Sequence, residues 1–168
     1  MTIALYDSAG IARQARESMK EEAAKIFLEA GVELVWLDCE VAGRFLNYTQ
    51  CAQPLGPHRL MLQLVSGSKK NTPTVTGMAF TQGEASVFAC LYVDRVRELA
   101  LESNWEFGEL LGHAAAHEIG HLLLRSSGHA PAGVMRAPWE VKDLRRLSHS
   151  GLIFLDGQLA PFTSGSRF

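Results

Sequence analysis

The sequence lacks the features that mark membrane, nucleic-acid-binding and repeat proteins. No apolar run approaches the roughly 20 residues that a membrane-spanning helix requires. Net charge is nearly absent, because 16 basic residues stand against 18 acidic ones, which gives no electrostatic reason to expect a nucleic acid or an anionic membrane as partner. No repeat period is visible. The 168 residues, 47% of them hydrophobic, are typical of one soluble globular domain.

The sequence also lacks a recognisable signal peptide, since no basic leader precedes an apolar stretch. The segment 3–6 is already a predicted strand, which is compatible with a mature form made without its leader. Cysteine is scarce. Cys39 and Cys51 permit one disulfide, which would favour a secreted or periplasmic protein, and Cys90 lies in an apolar segment. Three reduced cysteines in a cytoplasmic protein fit the spacing equally well, so the compartment stays open.

Hydrophobic periodicity predicts an α+β fold in one domain over residues 1–168. Apolar residues in steps of three and four over 9–30 predict an amphipathic helix that Gly31 ends. Short β-branched and aromatic runs predict five strands, at residues 3–6, 32–37, 59–65, 75–80 and 85–93, with a long connection over 38–58.

The second half of the chain is predicted to be helical. Asp94 is placed to cap a short helix that ends near Leu101. Ser103 followed by Glu106 is a capping-box pattern, which predicts a second long helix over 105–124.

Glycine, serine and proline predict a loop over 125–138, after which a last helix begins near Pro138. Val141, Leu144 and Leu147 are expected to face inward from this helix. From about residue 156 the chain has no periodicity and is expected to fray.

The most informative stretch is His117-Glu118-Ile119-Gly120-His121, inside the predicted long helix. Two histidines four residues apart project from one face of a helix, and both can reach one zinc ion at bonds of roughly 2.0–2.1 Å. Glu118, beside them, can activate a metal-bound water without becoming a ligand. Because the rest of the helix is mostly apolar, these buried polar groups would be costly without a metal. The pattern predicts a zinc site.

A catalytic zinc requires a third protein ligand and an open position for water. His129 is the favoured third ligand, because the segment 125–128 supplies a stop and a turn that let the chain fold back. Glu140 is the alternative, following the thermolysin-like pattern in which a downstream glutamate completes the set.

The motif of residues 117–121, followed by a turn, His129 and Gly133-Val134-Met135, resembles the metzincin clan of zinc peptidases. Matrix metalloproteinases and archaemetzincins are the nearest analogies. The resemblance implies that His117, His121 and His129 bind zinc, that Glu118 is the general base, and that Met135 forms the Met-turn. It also implies a zincin-like domain whose mixed twisted sheet is accompanied by an N-terminal helix, an active-site helix and a C-terminal helix.

The spacing departs from the clan at one point. Seven residues separate His121 from His129 where metzincins have five, and Leu124 stands where the clan has glycine. The turn is therefore expected to be built around Gly128.

The stretch from Gly77 to Tyr92 is similar to the edge strand along which metzincin substrates lie. We expect an extended peptide to add to an exposed edge over residues 85–92, with Ala85, Val87 and Ala89 as contact positions.

The predicted function is zinc-dependent hydrolysis of peptide bonds, with a peptide or protein as substrate and neither nucleic acid nor membrane as partner. One rival is a zinc-binding adaptor domain without activity. Another is a metal-dependent ribonuclease, because one such family also spaces histidines along a helix, although it lacks a glutamate at the position of Glu118.

Overall fold

The computed structural model describes residues 1–67, 75–80, 87–147 and 152–159. Its helices and strands follow in the order β1 (Thr2–Asp7), α1 (Arg13–Glu29), β2 (Val35–Val41), β3 (Arg44–Phe45), α2 (Tyr48–Cys51), β4 (Arg59–Val65), β5 (Gly77–Phe80), β6 (Phe88–Tyr92), α3 (Val93–Ser103), α4 (Phe107–Leu124) and α5 (Val141–Leu147).

The strands form one mixed sheet in the order β3-β2-β1-β4-β6-β5. The inner strands β2, β1, β4 and β6 are mutually parallel, and β3 and β5 are antiparallel to their neighbours. The predicted α+β class and mixed sheet are therefore confirmed. Among the described residues, β5 pairs on one side only, and its other side is an open edge.

The core lies between one face of this sheet and helices α1 and α4. Strand residues that share this face are fully or almost fully buried: Ile3, Leu5, Leu60, Leu62, Leu64, Ala89 and Leu91. Burying each leucine or isoleucine side chain contributes about 1.5–3 kcal/mol. Helix α4 is buried along nearly its whole length, because it packs against α1, α3 and strands of the sheet. No helix in the described ranges is long and apolar enough to cross a membrane.

The region predicted as a long connection, 38–58, contains regular structure. Strand β2 continues to Val41, and β3 and α2 follow. A disulfide joins Cys39, buried on β2, to Cys51 on α2. The prediction was wrong because these elements are short and polar and carry no apolar pattern. The disulfide and the pairing with β2 stabilise them instead.

Two predicted helix caps were also wrong. Tyr92 is the N-cap of α3, and Asp94 instead accepts a hydrogen bond from the backbone nitrogen of Gly67 at 2.6 Å. Ser103 ends α3, where its hydroxyl donates to the carbonyl of Leu99 at 2.6 Å. Glu106 itself caps α4, accepting from the backbone nitrogen of Glu109 at 2.7 Å.

The end of the described chain packs on the core. Leu144 on α5 is fully buried, and the indole nitrogen of Trp105 donates to its carbonyl at 2.7 Å. The side chain of Leu147 lies outside the described part. Fraying from residue 156 was predicted, but residues 156–159 form a turn that buries Leu159; residues 160–168 lie outside the described ranges.

Candidate metal centre

Two buried imidazoles face each other on one side of α4. The Nε2 atoms of His117 and His121 lie 3.0 Å apart. Each Nδ1 lies 2.7 Å from a backbone carbonyl oxygen, that of Val134 for His117 and that of Ser126 for His121. Because a carbonyl oxygen only accepts hydrogen bonds, each of the two rings carries its N–H proton on Nδ1. The lone pairs of both Nε2 atoms therefore point into the gap.

Both rings are neutral at neutral pH. Burial lowers the pKa of His117 to about 4 and also lowers the pKa of His121. Two Nε2 atoms that are 3.0 Å apart, with their lone pairs facing each other, repel unless a cation lies between them. A tetrahedral zinc with bonds of roughly 2.0–2.1 Å holds its ligand nitrogens about 3.3 Å apart. The observed gap therefore suits a cation of this size.

His129 joins these two histidines from a loop. One ring nitrogen from each of the three residues lies within 4.8 Å of the others, and in the described part of the chain no other group of histidines, cysteines and carboxylates meets this condition. The ring of His129 stacks on that of His117 with centroids 5.3 Å apart. It is the exposed member of the cluster, whereas His117 and His121 are buried.

The chain reverses direction after α4 without using glycine. Arg125 adopts a left-handed conformation with φ of 49°, and its backbone nitrogen donates to the carbonyls of His121 and Leu122. This reversal also places the carbonyl of Ser126 against the ring of His121. The expectation that the turn is built around Gly128 was therefore wrong in its residue, although the chain folds back as predicted.

Met135 is buried beneath α4, beside Gly120. The backbone nitrogen of Ala130 donates to the carbonyl of Met135 at 2.9 Å, and that of Arg136 donates to the carbonyl of Gly133 at 3.1 Å. These bonds form a tight turn over residues 130–136. The turn aims the carbonyl of Val134 at His117 and so fixes the orientation of that ring.

Glu118 lines a cleft that opens beside the histidines. The cleft has a volume of about 400 Å³ and is lined by α4, by the start of β5 and by loop residues: Val75, Thr76, Gly77, Met78, Ala79, His117, Glu118, His121, Ser127, His129, Ala137 and Pro138. Burial raises the pKa of the Glu118 carboxyl to about 8. A dication in the cluster would oppose that rise by favouring the carboxylate.

Glu140, the alternative third ligand, is not in this cluster. Its exposed carboxylate pairs with the ammonium group of Lys142 at 2.6 Å. The thermolysin-like arrangement was therefore the wrong alternative for this fold, because the last helix begins beyond Glu140 and does not bring it to the histidines.

The expected substrate edge was also wrong. Strand β6 pairs with β4 on one side and with β5 on the other, so Ala89 lies inside the sheet and is fully buried. Val87 precedes this strand, and its carbonyl accepts from the backbone nitrogen of Met61 at 2.7 Å. Ala85 lies outside the described residues. The open edge belongs to β5.

Sequence reasoning missed the groups that orient the histidines. The carbonyls of Ser126 and Val134 belong to the backbone and leave no side-chain signal.

Comparison with known proteins places the fold. No family model and no curated protein matches the chain. A solved structure does match, the crystal structure of a zinc-dependent peptidase from Methanocorpusculum labreanum (strain Z), with a TM-score of 0.63 and 15% sequence identity over 96% of this chain and 99% of that one. The chain has the fold of that protein. At this identity the likeness extends to the fold alone.

Proposed function

We propose that this chain is a zinc-dependent peptidase and that residues 1–168 form one catalytic domain. The observation that carries the proposal is the pair of neutral, buried imidazoles whose Nε2 lone pairs face each other at 3.0 Å, with His129 beside them. The zinc-dependent peptidase with the same fold supports it. His117, His121 and His129 are the proposed ligands.

Three histidines suit zinc, which commonly binds neutral imidazole nitrogen and keeps a fourth position open in catalytic sites. When bound, zinc supplies a Lewis acid that polarises a peptide carbonyl and lowers the pKa of water. The carbonyls of Val134 and Ser126 keep the Nδ1 protons in place, so that each Nε2 stays available as a donor atom to a metal.

Glu118 is the proposed general base. Its carboxylate takes a proton from the attacking water and returns it to the amine of the leaving fragment. The position supports both transfers, because Glu118 lines the same cleft as the three histidines but is not part of their cluster. Ionisation at neutral pH depends on the metal, since burial alone raises its pKa to about 8.

The substrate is a peptide or protein that binds in extended form along the open edge of β5. This strand lines the cleft with Gly77, Met78 and Ala79, and among the described residues its outer side has no partner strand. Its free backbone N–H and C=O groups can pair with the backbone of a peptide. Such pairing aligns a peptide bond with the cluster and is largely independent of side-chain sequence.

Within the zinc peptidases, we assign the chain to the metzincin type. The support is the third histidine beyond a turn and the buried Met135 beneath α4 in the position expected for a Met-turn. The spacing of seven residues between His121 and His129 distinguishes it from the usual pattern.

Zinc titration and a cleavage assay test the proposal together. Protein freed of metal is expected to bind one zinc ion and then to cleave a library of denatured proteins and peptides. Glu118→Gln is expected to keep the zinc and lose cleavage, while the control Glu109→Gln, on the exposed first turn of the same helix, retains it.

Two outcomes would contradict the proposal. Stoichiometric zinc without cleavage of any substrate would indicate an inactive adaptor domain. Cleavage of RNA by both the wild type and Glu118→Gln would indicate a metal-dependent nuclease instead.

A further inference from the structure

The first residue of β5 packs directly on Glu118. A β-carbon added to Gly77 would lie 2.7 Å from both Cγ and Oε1 of Glu118 and 2.8 Å from the carbonyl oxygen of Cys90. Ordinary contacts between such atoms are about 3.4 Å or longer. The backbone of β5 therefore approaches Glu118 so closely that no β-carbon fits at position 77 without a shift.

Backbone pairing holds this strand against β6. Gly77 is paired with Leu91 in the antiparallel ladder between β5 and β6. One residue earlier, the carbonyl of Thr76 accepts from the backbone nitrogen of Tyr92 at 2.9 Å. The φ angle of Gly77 lies outside the left-handed region. Glycine is therefore required here for space and not for its backbone conformation.

No hydrogen bond holds the Glu118 carboxylate in place within the described part of the chain. His117 and His121 each have a carbonyl partner at 2.7 Å, but no described group makes such a bond to Glu118. Its side chain is nevertheless only 4% exposed. Packing must therefore select its rotamer, and the backbone at Gly77 is one surface that packs against Cγ and Oε1.

We infer that Gly77 is a positioning residue for the proposed peptidase reaction, holding the Glu118 carboxylate at the cleft through direct backbone contact. The inference rests on the proposed function, since it concerns the base of that reaction. It also gives β5 two roles, because the strand that binds the peptide is the strand that places the base.

Gly77→Ala is expected to displace the carboxylate of Glu118 and leave the zinc ligands in place. A displacement of about 1 Å costs roughly 100-fold in rate when geometry is demanding. We therefore expect kcat to fall by about 100-fold, with KM changed less than threefold and zinc affinity unchanged. A loss of kcat that is matched by a loss of zinc would place the effect on the metal cluster and overturn the inference.

A double-mutant cycle on metal-free protein tests the contact without relying on activity. Gly77→Ala, Glu118→Ala and the double variant are unfolded in urea alongside wild type. In wild type the added β-carbon is expected to lower the folding equilibrium constant by at least about tenfold. In the Glu118→Ala background Cγ and Oε1 are absent. The same change is expected to lower the folding equilibrium constant there by a factor at least three times smaller. The overlap with the Cys90 carbonyl is common to both backgrounds and cancels.

Gly112→Ala is the matched control. A β-carbon there would lie 2.7 Å from Cβ of Glu22 and 2.9 Å from the carbonyl of Met19, on the side of α4 that faces α1. It is expected to destabilise by a similar factor, but additively with Glu118→Ala and without loss of kcat in the zinc-loaded fraction.

Each outcome of the cycle decides the inference. If Gly77→Ala fails to fold and the double variant folds, the contact is supported more strongly. If neither folds, or if the two changes are additive, the contact with Glu118 does not matter and the inference is wrong. Absence of cleavage by wild type would overturn the proposed function and the role of Gly77 in it, whereas additivity overturns the inference alone.

Discussion

The sulfur of Met135 occupies the space that a side chain at position 120 would require. A β-carbon on Gly120 would lie 2.6 Å from Sδ of Met135 and 3.0 Å from Cε1 of Phe154. Gly120 lies on α4 between Glu118 and His121, so this close approach holds the turn over 130–136 directly against the helix. The same turn carries the Val134 carbonyl that orients His117.

Gly120→Ala is expected to destabilise the metal-free protein by about 1–3 kcal/mol, because the core must shift to accept the methyl group. Zinc affinity is expected to fall with it, since the displaced turn no longer aims its carbonyl at His117. Urea unfolding and competition with a chelating dye measure the two effects. Gly56→Ala, with no atom within 4 Å of the added carbon, is the control and should change stability by less than about 0.5 kcal/mol. A Gly120→Ala protein whose stability equals that of the wild type would contradict this packing between Gly120 and Met135.

His129→Ala is expected to weaken zinc binding by at least about 100-fold, because a catalytic zinc would be left with two protein ligands. Glu140→Ala removes the alternative ligand and is expected to leave zinc affinity within about twofold, since this carboxylate pairs with Lys142 on the surface. Isothermal titration with zinc compares the two variants. The reverse ranking would restore Glu140 as the third ligand.

Glu118→Gln is expected to stabilise the metal-free protein, and by more at pH 8 than at pH 5. Burial raises the folded-state pKa of Glu118 to about 8 from 4.5. The folded state therefore holds this proton more tightly, and stability falls as pH rises between these values. The difference between wild type and variant should grow by about 3.5 kcal/mol from pH 5 to pH 8. Chemical unfolding at both values checks it, and an equal difference at both would contradict the burial of the charge.

Reduction of the Cys39–Cys51 disulfide is expected to cost about 3 kcal/mol of stability, as the chain-entropy estimate for a loop of 12 residues gives. Zinc affinity should not change, because this bond joins β2 to α2, and β2 is separated from β5 by three strands. Thermal unfolding of metal-free protein with and without a non-thiol reductant measures the stability, and titration of both forms with zinc measures the affinity. A loss of zinc on reduction would mean that the two regions are coupled.

Much of the fold could be predicted because its long elements carry strong periodic patterns. Strand β4 has the predicted bounds, and α1 and α4 lie within a few residues of theirs. The region 38–58 could not be predicted, since β3 has two residues and α2 has four and neither buries an apolar face. The order of strands was equally hidden. The inner position of β6 depends on its pairings with β4 and β5, which its own five residues do not specify.

More of the histidine cluster than of the groups around it could be predicted from the sequence. Residues 117–121 bring two candidate ligands together through helix geometry alone, which can be predicted directly from their spacing of four residues. The position of His129 depends on a reversal at Arg125, a residue type that rarely adopts positive φ and therefore leaves no signal. Gly77 had only the weak signal of a glycine within a predicted strand. Its contact with Glu118 depends on how closely β5 and α4 approach, which no local pattern specifies.

The uneven exposure of the three histidines determines how an ion would arrive and leave. Two rings are locked to carbonyls inside the protein, and the third stands in solvent at the mouth of the cleft. A cation entering from the cleft would meet the exposed His129 first, with the two fixed rings beside it, so its binding would require no opening of the core.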